Sequence, residues 1–244
     1  MSISLSQDHI NFLNERLKEL STEELIKWAY YTFPSLYQTT AFGLTGLVTI
    51  DIISKLNLNV ELIFLDTLYH FPQTYELVEK IKQKYNSKIH VYKPKGVNNE
   101  NEFVEKYGDQ LWESNDSYYD YLVKVEPSQR AYKELNVNVV LTGRRKSQGG
   151  ARNNLSIIEV EETSGIIKIN PLYNWDFDQV KSYVDKFQVP YNDLLNLGYK
   201  SVGDWHSTVP VAEDEDERSG RWKGKIKTEC GIHQTEKFKE YLNV

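Results

Sequence analysis

An α/β fold with a doubly wound, mostly parallel sheet and a mobile carboxyl-terminal tail is predicted by three features of this sequence. Short apolar, β-rich runs alternate with segments of helical periodicity, a pattern that pairs strands in parallel and covers both sheet faces with helices. The loops after three of these runs carry glycine, aspartate or clustered arginine, at the strand ends where such sheets bind ligands. From residue 203 onward the apolar periodicity stops.

Ser6 is a natural N-cap for a helix running to residue 20, with Ile10, Leu13, Leu17 and Leu20 on one face. Ser21 and Glu24 form a capping box that opens a second helix to about residue 31, and Pro34 ends it. Residues 37–42 are a β-prone run, followed by Gly43-Leu44-Thr45-Gly46 and an apolar helix over 47–56. A second strand spans 60–65, Pro72 starts a helix to residue 85, and 89–92 is a third strand. A helix around 127–135 leads into a fourth strand at 137–141. Residues 157–160 and 166–169, joined through Thr163-Ser164-Gly165, form a short hairpin, and 175–187 a helix. Residues 203–229 hold an acidic run (213–217) and then a basic stretch with three glycines across the segment. The chain becomes helical again after His233. It divides into an α/β domain with amino-terminal helices (1–202) and a tail (203–244).

With 244 residues, 40% hydrophobic and 13% aromatic, the chain can build one sizeable core. No apolar run approaches the ~20 residues of a membrane span. Residues 1–7 lack the charged-then-apolar pattern of a secretory signal, so a cytoplasmic location is the default. A net charge of −6 argues against nucleic acid as a partner. The cations are nevertheless clustered: Arg144, Arg145, Lys146 and Arg152 in one group, and Arg218, Arg221, Lys223, Lys225 and Lys227 in another. Local basic clusters on an acidic protein suit a small polyanion, although lysines of the second group also fit a solvated surface.

The segment ending in Gly43-Leu44-Thr45-Gly46 closes a strand and opens a helix, where free N–H groups and a positive dipole end favour phosphate. No Gly-Lys-Ser/Thr follows, so it is not a Walker A loop, and such a junction also serves as an ordinary tight turn. Asp66 and Thr67 follow the second strand at a position suited to a ribose or adenine. The loop after the fourth strand is more informative. Guanidinium forks match phosphate and sulfate oxygens, and residues 142–158 hold no carboxylate with which the arginines could pair. Cys230 is the single cysteine. It has no intrachain disulfide partner and cannot supply the four thiolates of an iron–sulfur cluster, so redox chemistry needs a sulfur from another molecule. Its basic neighbours and a following helix are expected to lower its pKa, with Glu229 opposing.

These segments stand in a recognisable order: Phe42-Gly43-Leu44-Thr45-Gly46, Leu65-Asp66-Thr67, Lys124-Val125-Glu126-Pro127, Gly143-Arg144-Arg145 with Gln148 and Arg152, and Lys227-Thr228-Glu229-Cys230-Gly231-Ile232-His233. Across residues 37–233 they resemble the phosphoadenylyl-sulfate (PAPS) reductases, in particular the fungal enzymes. The resemblance implies the adenine-nucleotide alpha-hydrolase-like fold, a homodimer, no bound cofactor or metal, and reduced thioredoxin as electron donor. It implies that Cys230 attacks the sulfate sulfur of PAPS, releasing adenosine 3′,5′-bisphosphate and leaving a cysteine S-sulfonate from which thioredoxin frees sulfite. Substrate binding would fall to Thr40, Phe42, Gly43, Gly46, Asp66, Thr67, Lys124, Arg144, Arg145, Gln148, Arg152, Arg218, Arg221 and His233. Relatives acting on adenylyl sulfate (APS) bind a four-iron cluster through two cysteine pairs. Tyr119, Asp120, Asp204 and Ser207 occupy the corresponding positions here.

Three other readings stay open at this point. One is a cluster-free APS reductase. Another is an ATP-pyrophosphatase or adenylyltransferase on the same fold, whose usual Ser-Gly-Gly-x-Asp-Ser loop is not reproduced by residues 42–46 and Asp51. The third is a non-catalytic nucleotide-binding module, which would not need the cysteine motif.

Overall fold

The computed structural model describes residues 5–242; residues 1–4, part of the amino-terminal reading above, lie outside them. Ser6 caps α1 (Gln7–Leu17) by accepting the His9 N–H. The helix ends a turn before Leu20 because Ser21 must already be extended to cap α2 (Thr22–Thr32), where it and Glu24 close the expected capping box. Then come β1 (Leu36–Thr39), α3 (Leu44–Lys55), β2 (Glu61–Leu65), α4 (Pro72–Tyr85) and β3 (Ile89–Tyr92). The first strand stops at Thr39 because Thr40 Oγ1 accepts the Phe42 N–H and bends the chain, and α3 starts directly after Gly43.

Residues 100–125, which the sequence pattern left unassigned, fold into α5 (Glu100–Tyr107), α6 (Leu111–Ser114), α7 (Asp116–Asp120) and a π-helical turn, Tyr121–Val125. They surround an aromatic cluster of Tyr69, Phe103, Trp112 and Tyr119. The remaining elements are α8 (Glu126–Glu134), β4 (Val139–Leu141), β5 (Ile158–Val160), β6 (Ile167–Ile169), α9 (Phe177–Phe187) and α10 (Lys239–Leu242).

The six strands form one sheet in the order β3-β2-β1-β4-β6-β5. All neighbours run parallel except β5 and β6, which pair antiparallel as the hairpin reading requires. Alternation along the strands feeds two cores. Leu62, Phe64, Val139 and Leu141 pack on the side of α3 and α9, whereas Ile63 and Val140 pack with Ala131 and Tyr132 of α8. α3 is mostly apolar and buried from Thr45 to Ile53, as befits a helix enclosed between sheet and outer helices, and its one buried carboxylate, Asp51, accepts from the Tyr85 and Tyr183 hydroxyls. Among the described residues no helix is long and apolar enough to cross a membrane.

β1 is followed by β2 on one side and paired with β4 on the other, so the order reverses at β1 and opens a crevice at the carboxyl ends of these strands. The chain after α9 crosses this edge. It bridges to the framework at His70–Asp204, folds on itself at Thr208–Arg221, and buries Trp222. Two 3₁₀ turns, Gly231–His233 and Thr235–Phe238, precede α10.

Candidate active site

The floor of the crevice is built by backbones that approach closely. A Cβ on Gly143 would stand 3.1 Å from the Gly46 amide nitrogen, and one on Gly46 would meet Thr40 Oγ1 at 2.9 Å. Only glycine lets the two loops touch and leaves the α3 amino terminus open to a ligand. Thr40, Gly43 and Gly46 line the cavity together with Thr67 and Gly143. Two expected binding residues stand elsewhere. Phe42, at φ +56°, turns its ring into the core against Phe64, 5.2 Å between centroids. Asp66 accepts the Leu68 N–H (2.9 Å) and the Tyr75 hydroxyl (2.7 Å), so its carboxylate closes the turn after β2.

Arg144, Arg145, Gln148 and Arg152 also line the cavity. The absence of carboxylates from 142–158 does not leave these arginines unpaired, because all three find partners from farther along the chain. Arg144 pairs with Glu159, and Arg145 with Glu217 while donating to Thr45 Oγ1 at 2.8 Å. Arg152 grips Glu229 with two donors, at 2.5 and 2.7 Å. Two tail carboxylates thus sit on arginines expected to hold ligand oxygens.

The tail cations differ. Arg221 has no carboxylate within ion-pair distance among the described residues; its Nε is buried without a partner, and Nη1 donates to the Val202 carbonyl at 3.2 Å. Arg218 reaches Glu229 only at 3.7 Å, where Arg152 already holds that group. Burial, then the charges of Arg152 and Arg221, press Arg218 down to about 9; burial lowers Arg221 as well. In both, burial outweighs the pull of nearby carboxylates, and an anion in the cavity would favour the charged guanidinium.

Cys230 is half-buried and lines the same cavity, as do Lys124, Arg218, Arg221 and His233. Its pKa is not lowered. Burial pushes the thiol above its ordinary value, and the Lys124 charge offsets this only in part. The two causes expected to lower it are missing: a single 3₁₀ turn follows instead of a helix, and the nearby lysines are spent on other partners. Lys225 pairs with Glu113 at 3.0 Å and Lys227 with Asp120 at 2.7 Å. Burial and then Arg144 hold His233 well below its ordinary value, so it is a neutral imidazole.

Tyr119, Asp120 and Ser207 stand behind the cavity and converge with Asp204, which lines it. Lys124 Nζ donates to Asp204 at 2.7 Å and Asp120 at 3.2 Å, while the Tyr119 hydroxyl donates to Asp204 at 3.3 Å. Ser207 Oγ donates to the Asp204 carbonyl at 3.4 Å, and Thr67 to the Asp204 carboxylate at 2.7 Å. Lys200 and Glu217, which no motif marks, also line the cavity, and Asp204 ties its wall to Lys124, Thr67 and Tyr119. The acidic-then-basic order of 213–227 signals self-pairing, but no spacing rule assigns the partners.

A family model described as phosphoadenosine phosphosulfate reductase domain matches residues 35–210. The phosphoadenosine phosphosulfate reductase of Saccharomyces cerevisiae is 59% identical, over 98% of this chain and 95% of its own length. An adenosine 5′-phosphosulfate reductase of Halalkalibacterium halodurans is 38% identical, over 93% and 98%. Among solved structures, the phosphoadenylyl-sulfate reductase of Candida auris, a phosphate complex, superposes with a TM-score of 0.81 and 67% identity, over 86% of this chain and all of that one. An FMN adenylyltransferase of Candida glabrata shares the fold alone, at a TM-score of 0.59 and 14% identity.

Proposed function

This chain belongs to the phosphoadenosine phosphosulfate reductase family and is an oxidoreductase acting on a sulfur group, and on that premise we propose that it reduces PAPS to sulfite and adenosine 3′,5′-bisphosphate. One observation carries the reading. The only thiol of the chain lines the same cavity as two half-buried arginines, Arg221 with no carboxylate within ion-pair distance among the described residues and Arg218 reaching only the already gripped Glu229 at 3.7 Å, at the carboxyl ends of a mostly parallel sheet. The α3 amino terminus and the strand-end glycines would take the nucleotide, and Arg218, Arg221 and Lys124 the sulfated end.

In the first half-reaction the Cys230 thiolate attacks the sulfate sulfur. An S–S bond forms, the bond from sulfur to the phosphate oxygen breaks, and the nucleotide leaves with that electron pair. Bringing an anion to Arg218 and Arg221 offsets their mutual repulsion, and Lys124 favours the thiolate over the thiol. Cys230 has no partner in its own chain, so the S-sulfonate persists until a dithiol protein attacks Cys230 Sγ. Sulfite departs with two electrons, and the second donor thiol resolves the mixed disulfide. Reduced thioredoxin fits this role, in a cytoplasm that keeps thiols reduced. The reaction needs no bound cofactor, and we read the enzyme as a homodimer.

The test is sulfite release from PAPS and from APS, each with and without reduced thioredoxin. The expected result is release from PAPS that depends on the dithiol. With PAPS alone, about one bisphosphate leaves per active chain, and a sulfonate adduct appears on Cys230. Preferential turnover of APS would assign the enzyme to that substrate, and an unmodified Cys230 after prolonged incubation with PAPS would reject the covalent route.

A further inference from the structure

We propose that Asp120 is a positioning residue for Cys230, anchoring the Cys230–Gly231 peptide and Lys227 of the tail against the π-helical turn. The inference rests on the reading of Cys230 as the nucleophile.

Asp120 ends α7 immediately before the π turn, a rare geometry that recurs at functional sites. Its side chain is buried and stands outside the lining of the ligand cavity. One carboxylate oxygen accepts the Gly231 N–H at 3.2 Å and meets Lys227 Nζ at 2.7 Å, while the other accepts from Lys124 at 3.2 Å. Two of its three partners therefore belong to the tail. Burial opposes ionisation of Asp120, yet the ammonium groups of Lys124 and Lys227 hold its carboxyl below the ordinary value.

Gly231 is shaped to this seat. A Cβ there would come within 3.2 Å of the Asp120 carboxylate and 3.1 Å of both Val125 and Phe238, so a larger residue would require these neighbours to give by a few tenths of an ångström. The peptide on the other side of the nucleophile is held differently. The Cys230 N–H donates to Glu229 at 2.8 Å, and Glu229 is gripped by Arg152 inside the cavity. An incoming anion competes for Arg152 and can loosen that anchor. Asp120 lies behind the cavity and keeps its hold while substrate enters. Attack on sulfur requires the thiolate close to the reacting atom and aligned with the leaving oxygen, so an anchor that outlasts substrate entry bears directly on rate.

Alkylation of Cys230 by iodoacetamide in the free protein reports seating without any nucleotide. Single-turnover release of bisphosphate from PAPS reports reaction, and calorimetry with adenosine 3′,5′-bisphosphate reports the cavity. For Asp120→Ala, alkylation should accelerate and single turnover should slow, each by about ten- to a hundredfold, with product affinity within about twofold of wild type. Asp120→Asn, which keeps an acceptor for Gly231 but loses the charge on Lys227, should fall between. Lys227→Met should move both rates in the same directions, less far. Unchanged alkylation in Asp120→Ala overturns the proposal, and so does a loss of product affinity equal to the loss of rate, which marks general damage to the site. If Asp120→Ala does not fold, the isosteric Asp120→Asn carries the same comparison. A wild-type protein that forms no adduct with PAPS would remove the proposed function, while the alkylation series would still decide the role of Asp120.

Discussion

The sheet framework and the tail that crosses its edge are held by different forces. In the framework, Leu62, Ile63, Val139 and Val140 are almost wholly buried, and parallel ladders satisfy the backbone. The tail contributes few apolar anchors, chiefly Trp222 and Phe238. Its fixed points are charges: Glu217 on Arg145, Glu229 on Arg152, Lys227 on Asp120 and Asp204 on Lys124. Apolar burial does not depend on which ions are present, whereas an ion pair can exchange its partner for a ligand of the same sign. The tail is therefore attached through groups for which an anion can compete, and the sheet is not.

The sharpest way to separate the regions is to remove the thiol. Cys230→Ser should abolish sulfite formation while product affinity, measured by calorimetry, stays within about twofold, because most residues lining the cavity belong to the framework. Substantial residual turnover would show that chemistry does not reside in the tail. Next in size is Arg152→Ala, which removes a charged donor from the cavity and leaves Glu229 without its grip. Product binding should weaken by about ten- to a hundredfold, from a loss of ~1.5–3 kcal/mol. Unchanged affinity would mean that the tail carboxylate, not a ligand, is the true partner of this arginine.

Acid should then release the tail before the sheet. Against its burial, the grip of Arg152 draws the Glu229 carboxyl from its ordinary 4.5 down to about 2, so its contribution is present above pH 4.5 and lost as pH falls toward 2. Burial draws His206 down to about 4, so its contribution is present above its ordinary 6.5 and is lost as pH falls through 6.5 toward 4. Between pH 7 and pH 3, amide protection relative to the intrinsic exchange rate at each pH should be lost first in 203–233, and simultaneous loss of protection in β1 and β4 would contradict separate behaviour. The smallest effect is that of salt. Trypsin should cut first among Arg218, Arg221, Lys223, Lys225 and Lys227, and severalfold faster at high ionic strength as exposed pairs such as Lys225–Glu113 are screened. A rate independent of salt would shift the tail's attachment to Trp222 and Phe238.

Whatever depends on neighbours a few residues apart is legible in the amino-acid order. The capping box at Ser21 and Glu24, the strands near 60–65 and 89–92, the hairpin at 157–169 and the glycine junction after β1 all follow from local backbone preference and periodicity. So does the gathering of arginines at a strand end, since a parallel sheet fixes which loops share an edge. The tertiary structure alone decided how the charges were spent. Arg145 and Glu217 are 72 residues apart, Arg152 and Glu229 are 77, and Gly231 and Asp120 are 111, distances over which no residue spacing carries information. It also reversed the sign expected for Cys230. Counting basic neighbours anticipated a lowered thiol pKa, but those lysines are paired and the thiol is desolvated, and desolvation can be known only once the chain has closed around it.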